Sequence, residues 1–264
     1  MENELVIRFG VFLGLFCLFA AVETLAPRRA RSLPRAKRWA TNWAIVILDA
    51  ITLRALAIAL PLLAVGAAID AGENGWGLFN TLGLHAGLEI LLTVLIFDFA
   101  IWLQHLIMHK IPVLWRLHRV HHADVDIDVS TAIRFHPVEI ALSMLLKIGL
   151  VYVLGPSALG IILFEIILNG TAMFNHANIK LPLKADAVIR KVLVTPDMHR
   201  IHHSNQRTEH DSNYGFSLSI WDRLFRTYTA EPDKGHLGMT IGLEWQDERP
   251  AQLGWSLALP FFRK

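Results

Sequence analysis

The chain alternates long apolar runs with shorter polar segments. Residues 5–26 are apolar almost throughout, and about 20 such residues suffice for a helix to cross a hydrocarbon core. Residues 43–69 and 79–103 repeat the pattern. Two further runs, 139–154 and 157–175, are parted by Gly155-Pro156. The first of these holds only sixteen residues, so 139–175 is expected either as two tilted spans or as a re-entrant hairpin. Either way the chain returns to the side it left. Residues 176–250 are polar. The pattern predicts an all-α, polytopic membrane bundle.

Charge orients it. The segment 28–38 holds Arg28, Arg29, Arg31, Arg35, Lys37 and Arg38, whereas Asp70 to Leu78 carries two acids and no Lys or Arg. The positive-inside rule puts the first loop in the cytoplasm and the second outside, and the third run then delivers its C-terminal end to the cytoplasmic face. An acidic start (Glu2, Glu4) and the end Pro27-Arg28-Arg29 argue for an uncleaved anchor over a signal peptide. The tail 251–264 carries Trp255, Phe261, Phe262 and two terminal basic residues; it fits a membrane surface or packing against the rest of the chain equally well. The expected division is an N-terminal membrane region 1–89, a central unit 90–240 and the tail 241–264.

Composition agrees. Apolar residues make up 53% and charged ones 18%, below the quarter or so usual in soluble domains. A net charge of +2 gives no reason to expect a nucleic-acid partner. A single cysteine, Cys17, excludes an internal disulfide framework and Cys-rich metal sites.

Histidine stands out, with 13 residues. His105 and His109 are spaced i,i+4, so a helix places them on one face, about 5–6 Å apart at the β carbons. His118, His121 and His122 form one HxxHH cluster, and His199, His202 and His203 form another. All three clusters fall on the same predicted side. Imidazole suits Zn, Cu, Fe and Ni alike. Eight imidazoles exceed what one six-coordinate ion can use, so two ions are expected. His176 is expected as a ninth ligand. His136 fits a ligand, a supporting or a plain structural role, and His210 and His236 are expected at the surface or in support. Asp98, two helical turns before His105, is expected to hold the distal nitrogen of a liganding imidazole. Asp124 and Asp197 are candidates for the same task, and Asn178 and Asn213 join them as supporting positions. An ion pair is expected for Asp49 and Arg54, which interrupt an apolar run.

The residues Asp98…His105-x3-His109, Leu114-Trp-Arg-Leu-His-Arg-Val-His-His122 and Ser130-Thr-Ala-Ile-Arg-Phe-His-Pro137 occur in order. Asn175-His-Ala-Asn178, Thr195-Pro-Asp-Met-His-Arg-Ile-His-His203, Asn213-Tyr-Gly215 and Trp221-Asp-Arg-Leu-Phe225 follow. Over about 90–240 this text resembles the fatty acid hydroxylase/sterol desaturase superfamily of membrane di-iron oxygenases. One departure, Leu106 where many members carry Arg, bears on the subfamily. The resemblance implies two Fe2+ ions held by histidine, O2 as co-substrate, a lipid-like substrate and a cytoplasmic helical metal-binding cap over the bundle. It implies hydroxylation of a C–H bond, with desaturation as the alternative within the same chemistry.

Electrons are expected from a separate donor, such as a cytochrome b5-like protein, a ferredoxin or a reductase. The basic loop is assigned to topology and lipid headgroups ahead of donor docking. Trp102, Phe135, Phe174 and Phe216 are candidates to line a substrate tunnel, with core packing the favoured expectation for each. A metal transporter or membrane metal-binding protein is the competing reading, but a transporter would place its ligands near the bilayer midplane.

Overall fold

A computed structural model of the chain describes residues 4–59 and 63–262. Glu2, the middle of the 43–69 run, and the terminal Arg263 and Lys264 lie outside them. The described residues form helices and no strand. In chain order they are α1 (Glu4–Leu25), α2 (Arg35–Ala59), α3 (Ala64–Glu73), α4 (Leu78–Leu82) and α5 (Ala86–Lys110). Then come α6 (Pro112–His122), α7 (Pro137–Leu154), α8 (Ala158–His176), α9 (Leu183–Ile189) and α10 (Pro196–His202), followed by shorter helical turns. Among the described residues α1, α2, α5, α7 and α8 are long and apolar enough to cross a membrane, and the chain is a membrane protein.

Two expectations change. The 43–69 run is not one element: α2 ends at Ala59, and a separate α3 begins at Ala64. The loop expected over 70–78 is helical as far as Glu73. Ala64, Ala67, Ala68 and Ala71 form a small-residue stripe on α3, and α3 packs on α7 and α8. Small side chains let such backbones approach closely.

The turn between α7 and α8 sits against the α3–α4 turn. Gly77, at φ 94°, lies so close that a β carbon on it would stand 2.2 Å from the Gly155 nitrogen. Gly155 itself takes φ 67°, which glycine adopts without strain. At this same end, Tyr152 donates to Asp70 at 2.8 Å, and Glu89 accepts from the Ser157 N–H at 2.9 Å.

The opposite end collects most of the buried charge and all the clustered histidines. Glu23 at the end of α1 accepts from the Val129 and Asn178 N–H groups at 3.0 Å each. The basic segment folds into this end. Arg28 pairs with Asp197 at 3.0 Å, and Arg29 donates to the His236 and Met239 carbonyls. Arg31 and Arg35 reach Glu23. Arg38 is buried and grips Asp124 and Asp128 at 2.6 Å. Most of this charge therefore has an internal partner. The tail packs too: Arg119 donates to the carbonyls of Leu259 and Phe262, and Trp255 meets Trp245 edge-on.

Candidate metal centre

Local sequence brings the histidines together. Ile111 ends α5 and begins α6, because Pro112 lacks an N–H and starts a new helix at N1. This tight joint folds α6 back beside α5, so that the His105 and His118 rings lie 4.7 Å apart and those of His109 and His122 4.8 Å apart. Thr195 caps α10 by accepting from the Met198 N–H, with Pro196 at N1, which sets the register of His199 and His202. His176 is the last residue of α8.

All nine expected imidazoles are buried, and they sort into two groups. One holds His105, His109, His118, His122 and His202; the other holds His121, His176, His199 and His203, with ligand atoms within 4.8 Å of one another in each. Helix geometry explains the sorting. Residues i and i+4 differ by about 40° around the axis, whereas i+3 lies about 60° to the other side. So His118 and His122 stay together while His121 crosses to the second group, and His199 and His203 stay together while His202 crosses to the first.

Hydrogen bonds define which nitrogen faces inward. The Nδ1 atoms of His105, His176 and His202 each lie 2.7 Å from a backbone carbonyl, those of Tyr214, Ala172 and Ser212. His121 Nδ1 lies 3.2 Å from the Arg134 carbonyl. His118 Nδ1 lies 2.7 Å from a Glu139 carboxylate oxygen. Carbonyls and carboxylates accept, so each Nδ1 carries the proton and each Nε2 presents a lone pair. Yet His105 Nε2 faces His118 Nε2 at 3.0 Å, and His121 Nε2 faces His176 Nε2 at 3.1 Å. Facing lone pairs repel unless a cation lies between them. Both ring nitrogens of His109, His122 and His203, and Nε2 of His202, have no hydrogen-bond partner, which is costly in a buried site.

The spacing fits transition ions. Two nitrogens about 2.1 Å from one ion and about 90° apart would be about 3.0 Å from each other, against about 3.4 Å for a tetrahedral pair. Burial first, and then the neighbouring imidazoles, pushes His121, His122, His199 and His203 well below the ordinary histidine range. Burial does the same to His202. The neutral, ligating form is thereby favoured.

The supporting groups are mostly not those expected. Asp98 accepts from the Trp221 indole at 2.8 Å and the Leu218 N–H at 3.3 Å; it braces the loop after Gly215 and holds no imidazole. Asp124 accepts from Arg38, Thr131 and Asn42, and Arg38 outweighs burial to keep it below the usual carboxylate range. Asp197 takes Arg28 and Arg200, leaving no imidazole hydrogen bond for it either. Asn178 pairs with the Arg29 backbone.

Asn213, at φ 53°, donates to the Met198 and Thr229 carbonyls, tying the loop to α10 without touching a histidine. His136 belongs to neither group and caps α7, accepting from the Val138 N–H. His236 is buried near Glu231 and Asp197. His210 is half-buried, with His109 and Asp211 within reach.

Glu139 and the backbone carbonyls of 212, 214, 134 and 172 take the supporting role instead. Glu139 had a weak signal, a carboxylate in the first turn of an apolar helix beside His136-Pro137. The carbonyls have none in sequence, though the motifs around them now have reasons. Asp222 accepts from the Tyr214 and Gly215 N–H groups and from Trp102, and Asn175 donates to the Phe216 carbonyl. Together they hold residues 212–216 where their carbonyls meet His105 and His202.

A cavity of about 360 Å³ opens from His105 and His118 between α1, α2, α5, α7 and α8. Its wall is mainly apolar and includes Phe135 and Phe216. Trp102 and Phe174 are not part of it; they pack on Phe225 and Phe19.

A sequence profile of the fatty acid hydroxylase family matches residues 90–227, just over half of the chain. The chain belongs to the fatty acid hydroxylase family. The family segment contains all nine clustered histidines and Glu139, while Arg28, Arg38 and Asp49 lie outside it.

Among curated relatives of this family member, alkylglycerol monooxygenase from Homo sapiens is 29% identical over 148 residues, 54% of this chain and 31% of the relative. The Xenopus tropicalis alkylglycerol monooxygenase is 30% identical over 154 residues, 56% of this chain and 32% of the relative. Ornithine lipid hydroxylase from Rhizobium tropici is 27% identical, over 58% of this chain and 46% of the relative. The matched stretch thus spans less than half the length of each of these relatives. No solved structure matches the chain significantly.

Proposed function

We propose that this fatty acid hydroxylase family member is a membrane-bound non-haem di-iron oxygenase that hydroxylates a C–H bond of a lipid-like substrate with O2 and two electrons. The observation that carries the reading is the facing of lone-pair Nε2 atoms, 3.0 and 3.1 Å apart, in two buried groups at the mouth of an apolar cavity. The five-histidine and four-histidine groups would each hold one ion. Bound as a pair, iron would supply O2 activation for attack on an unactivated C–H bond.

The chain's own part is placement. Glu139 and the loop carbonyls fix each imidazole in its ligating tautomer. The cavity wall holds an apolar chain beside His105 and His118 and keeps water away. Opening between membrane helices, the cavity suits a substrate arriving from the bilayer. The names of the hydroxylase and monooxygenase relatives support this class. The basic 28–38 segment shares an end with the histidines, which supports a cytoplasmic centre served by a separate electron donor.

The test is metal analysis with product analysis. Anaerobically loaded protein is expected to hold two irons per chain. Cells making it are expected to contain a lipid heavier by one oxygen, absent from cells with His122→Ala. Tightly bound haem, or no retained metal after loading, refutes the reading.

A further inference from the structure

None of the nine clustered histidines is more than 6% exposed, so an ion bound among them needs a route inward. The cavity reaches His105 and His118, but its wall is mainly apolar and lies between membrane helices. A hydrated dication would shed water there with few ligands to replace it, which is costly. The far side of the five-histidine group is built differently. After His203 the chain makes the short helical turn Arg207–His210 and returns to the end of α5. There His109, His210 and Asp211 form a further group, with ligand atoms within 4.8 Å of one another. His109 belongs to this group and to the five-histidine group. It is buried, its Nδ1 lies 3.5 Å from Asp211, and neither of its ring nitrogens has a hydrogen-bond partner. His210 and Asp211 are only half-buried, so the group runs from the surface to the centre.

Its chemistry suits a cation that stops briefly. His210 Nδ1 lies 3.2 Å from the Ser204 carbonyl; the carbonyl accepts, so Nδ1 carries the proton and Nε2 the lone pair. Trp115 stacks on the His210 ring at 5.3 Å and tilts against His109 at 4.8 Å, which holds both ring planes. Asp211 pairs with Lys110 at 3.0 Å and with Arg207 at 3.5 Å, on side chains 48% and 82% exposed. Such exposed pairs contribute little, so a dication can displace them. Two imidazoles and one carboxylate also leave a coordination position for water, which lets ligands exchange.

We propose that His210 and Asp211 form an entry site that takes up a divalent transition ion and passes it to the five-histidine group through the shared ligand His109. The ion exchanges water for His210 and Asp211 at the surface, then exchanges these for buried imidazoles, and is never without ligands. The proposal rests on the reading of the histidine groups as ion sites and adds the route by which one of them fills.

The experiment loads the metal-free full chain in nanodiscs with Fe2+ alone, without oxygen, and follows against time the iron that resists a rapid chelator quench. The wild type is expected to reach two ions per chain. Asp211→Asn should slow one of the two ions about tenfold or more, since a cleft of opposite charge speeds the arrival of an ion about 10–10³-fold. His210→Phe, which keeps a ring against Trp115, should slow the same ion. Both variants should still reach two ions and unfold at the wild-type temperature. Unchanged loading rates in both variants overturn the proposal. So does a lower final iron content in either, which would make these residues supports of the bound ion. A wild type that retains no ion refutes the ion-site reading itself, whereas two retained ions with equal rates refute the entry site alone.

Discussion

His105 and His118 meet through their Nε2 atoms at 3.0 Å, while their Nδ1 atoms are held on the far sides by the Tyr214 carbonyl and the Glu139 carboxylate. The pair joins helix α5 to helix α6 and puts the first imidazole group at the head of the cavity. On the proposed reading, the sorting of the nine rings into two groups makes two separate ion sites. His109→Ala should lose the ion of the five-histidine group and retain the other, and His199→Ala should do the reverse. Iron per chain, measured after loading and desalting, is expected to fall from two towards one in each single variant and to near zero in the double variant. Complete loss in both single variants would show one cooperative site instead.

Glu139 acts through His118. Removing such a carboxylate from a metal-bound imidazole typically lowers metal affinity 10–100-fold. Glu139→Gln keeps the size and a hydrogen-bonding side chain but removes the charge, so it should bind metal about tenfold more weakly than the wild type. Glu139→Ala should be weaker still. A competition titration against a chelator reads the difference; identical metal affinity in all three proteins would exclude the role.

Acid should destabilise the metal-free protein. His121, His122, His199, His202 and His203 are pushed well below the ordinary value of 6.5 in the folded state. Below about pH 6.5 the unfolded chain therefore binds more protons than the folded one. Stability is fully present above the unfolded value and declines as pH falls below it, by up to about 1.4 kcal/mol per pH unit for each such group. The unfolding temperature in detergent should thus drop between pH 7 and pH 5, and the drop should shrink in variants with fewer of these histidines. An unfolding temperature that rises over this range would contradict the assignment.

Arg38 holds the loop that follows His122. It pairs with Asp124 and Asp128, and Thr131 joins through Asp124; all are buried. Arg38→Met leaves two buried carboxylates without their cation, a change that costs about 3–5 kcal/mol in comparable pairs. Thermal unfolding should show a large loss of stability, whereas Lys37→Met, which removes an exposed pair with Glu248, should cost under about 1 kcal/mol. Similar losses for both would mean that the network carries little of the fold.

The chain's own pattern determined the bundle and the three histidine clusters. Apolar runs at α1, α5, α7 and α8 are helices because a backbone in lipid must satisfy its own hydrogen bonds, and that requirement is readable residue by residue. The clusters at His105, His118 and His199 are legible for a similar reason: ligation by i, i+3 and i+4 imidazoles is a local property of one helix.

What the tertiary structure decided involves partners distant in sequence. It split the nine histidines five and four, because the crossing of His121 and His202 depends on how α6 and α10 face each other. It assigned the support of His118 to Glu139 and turned Asp98, Asp124 and Asp197 towards Trp221, Arg38 and Arg28. Carboxylates at plausible spacing look alike in one dimension; which of them meets an imidazole and which meets an arginine is set by packing. The same packing left Asp49 lining a cavity, where the sequence suggested an ion pair with Arg54.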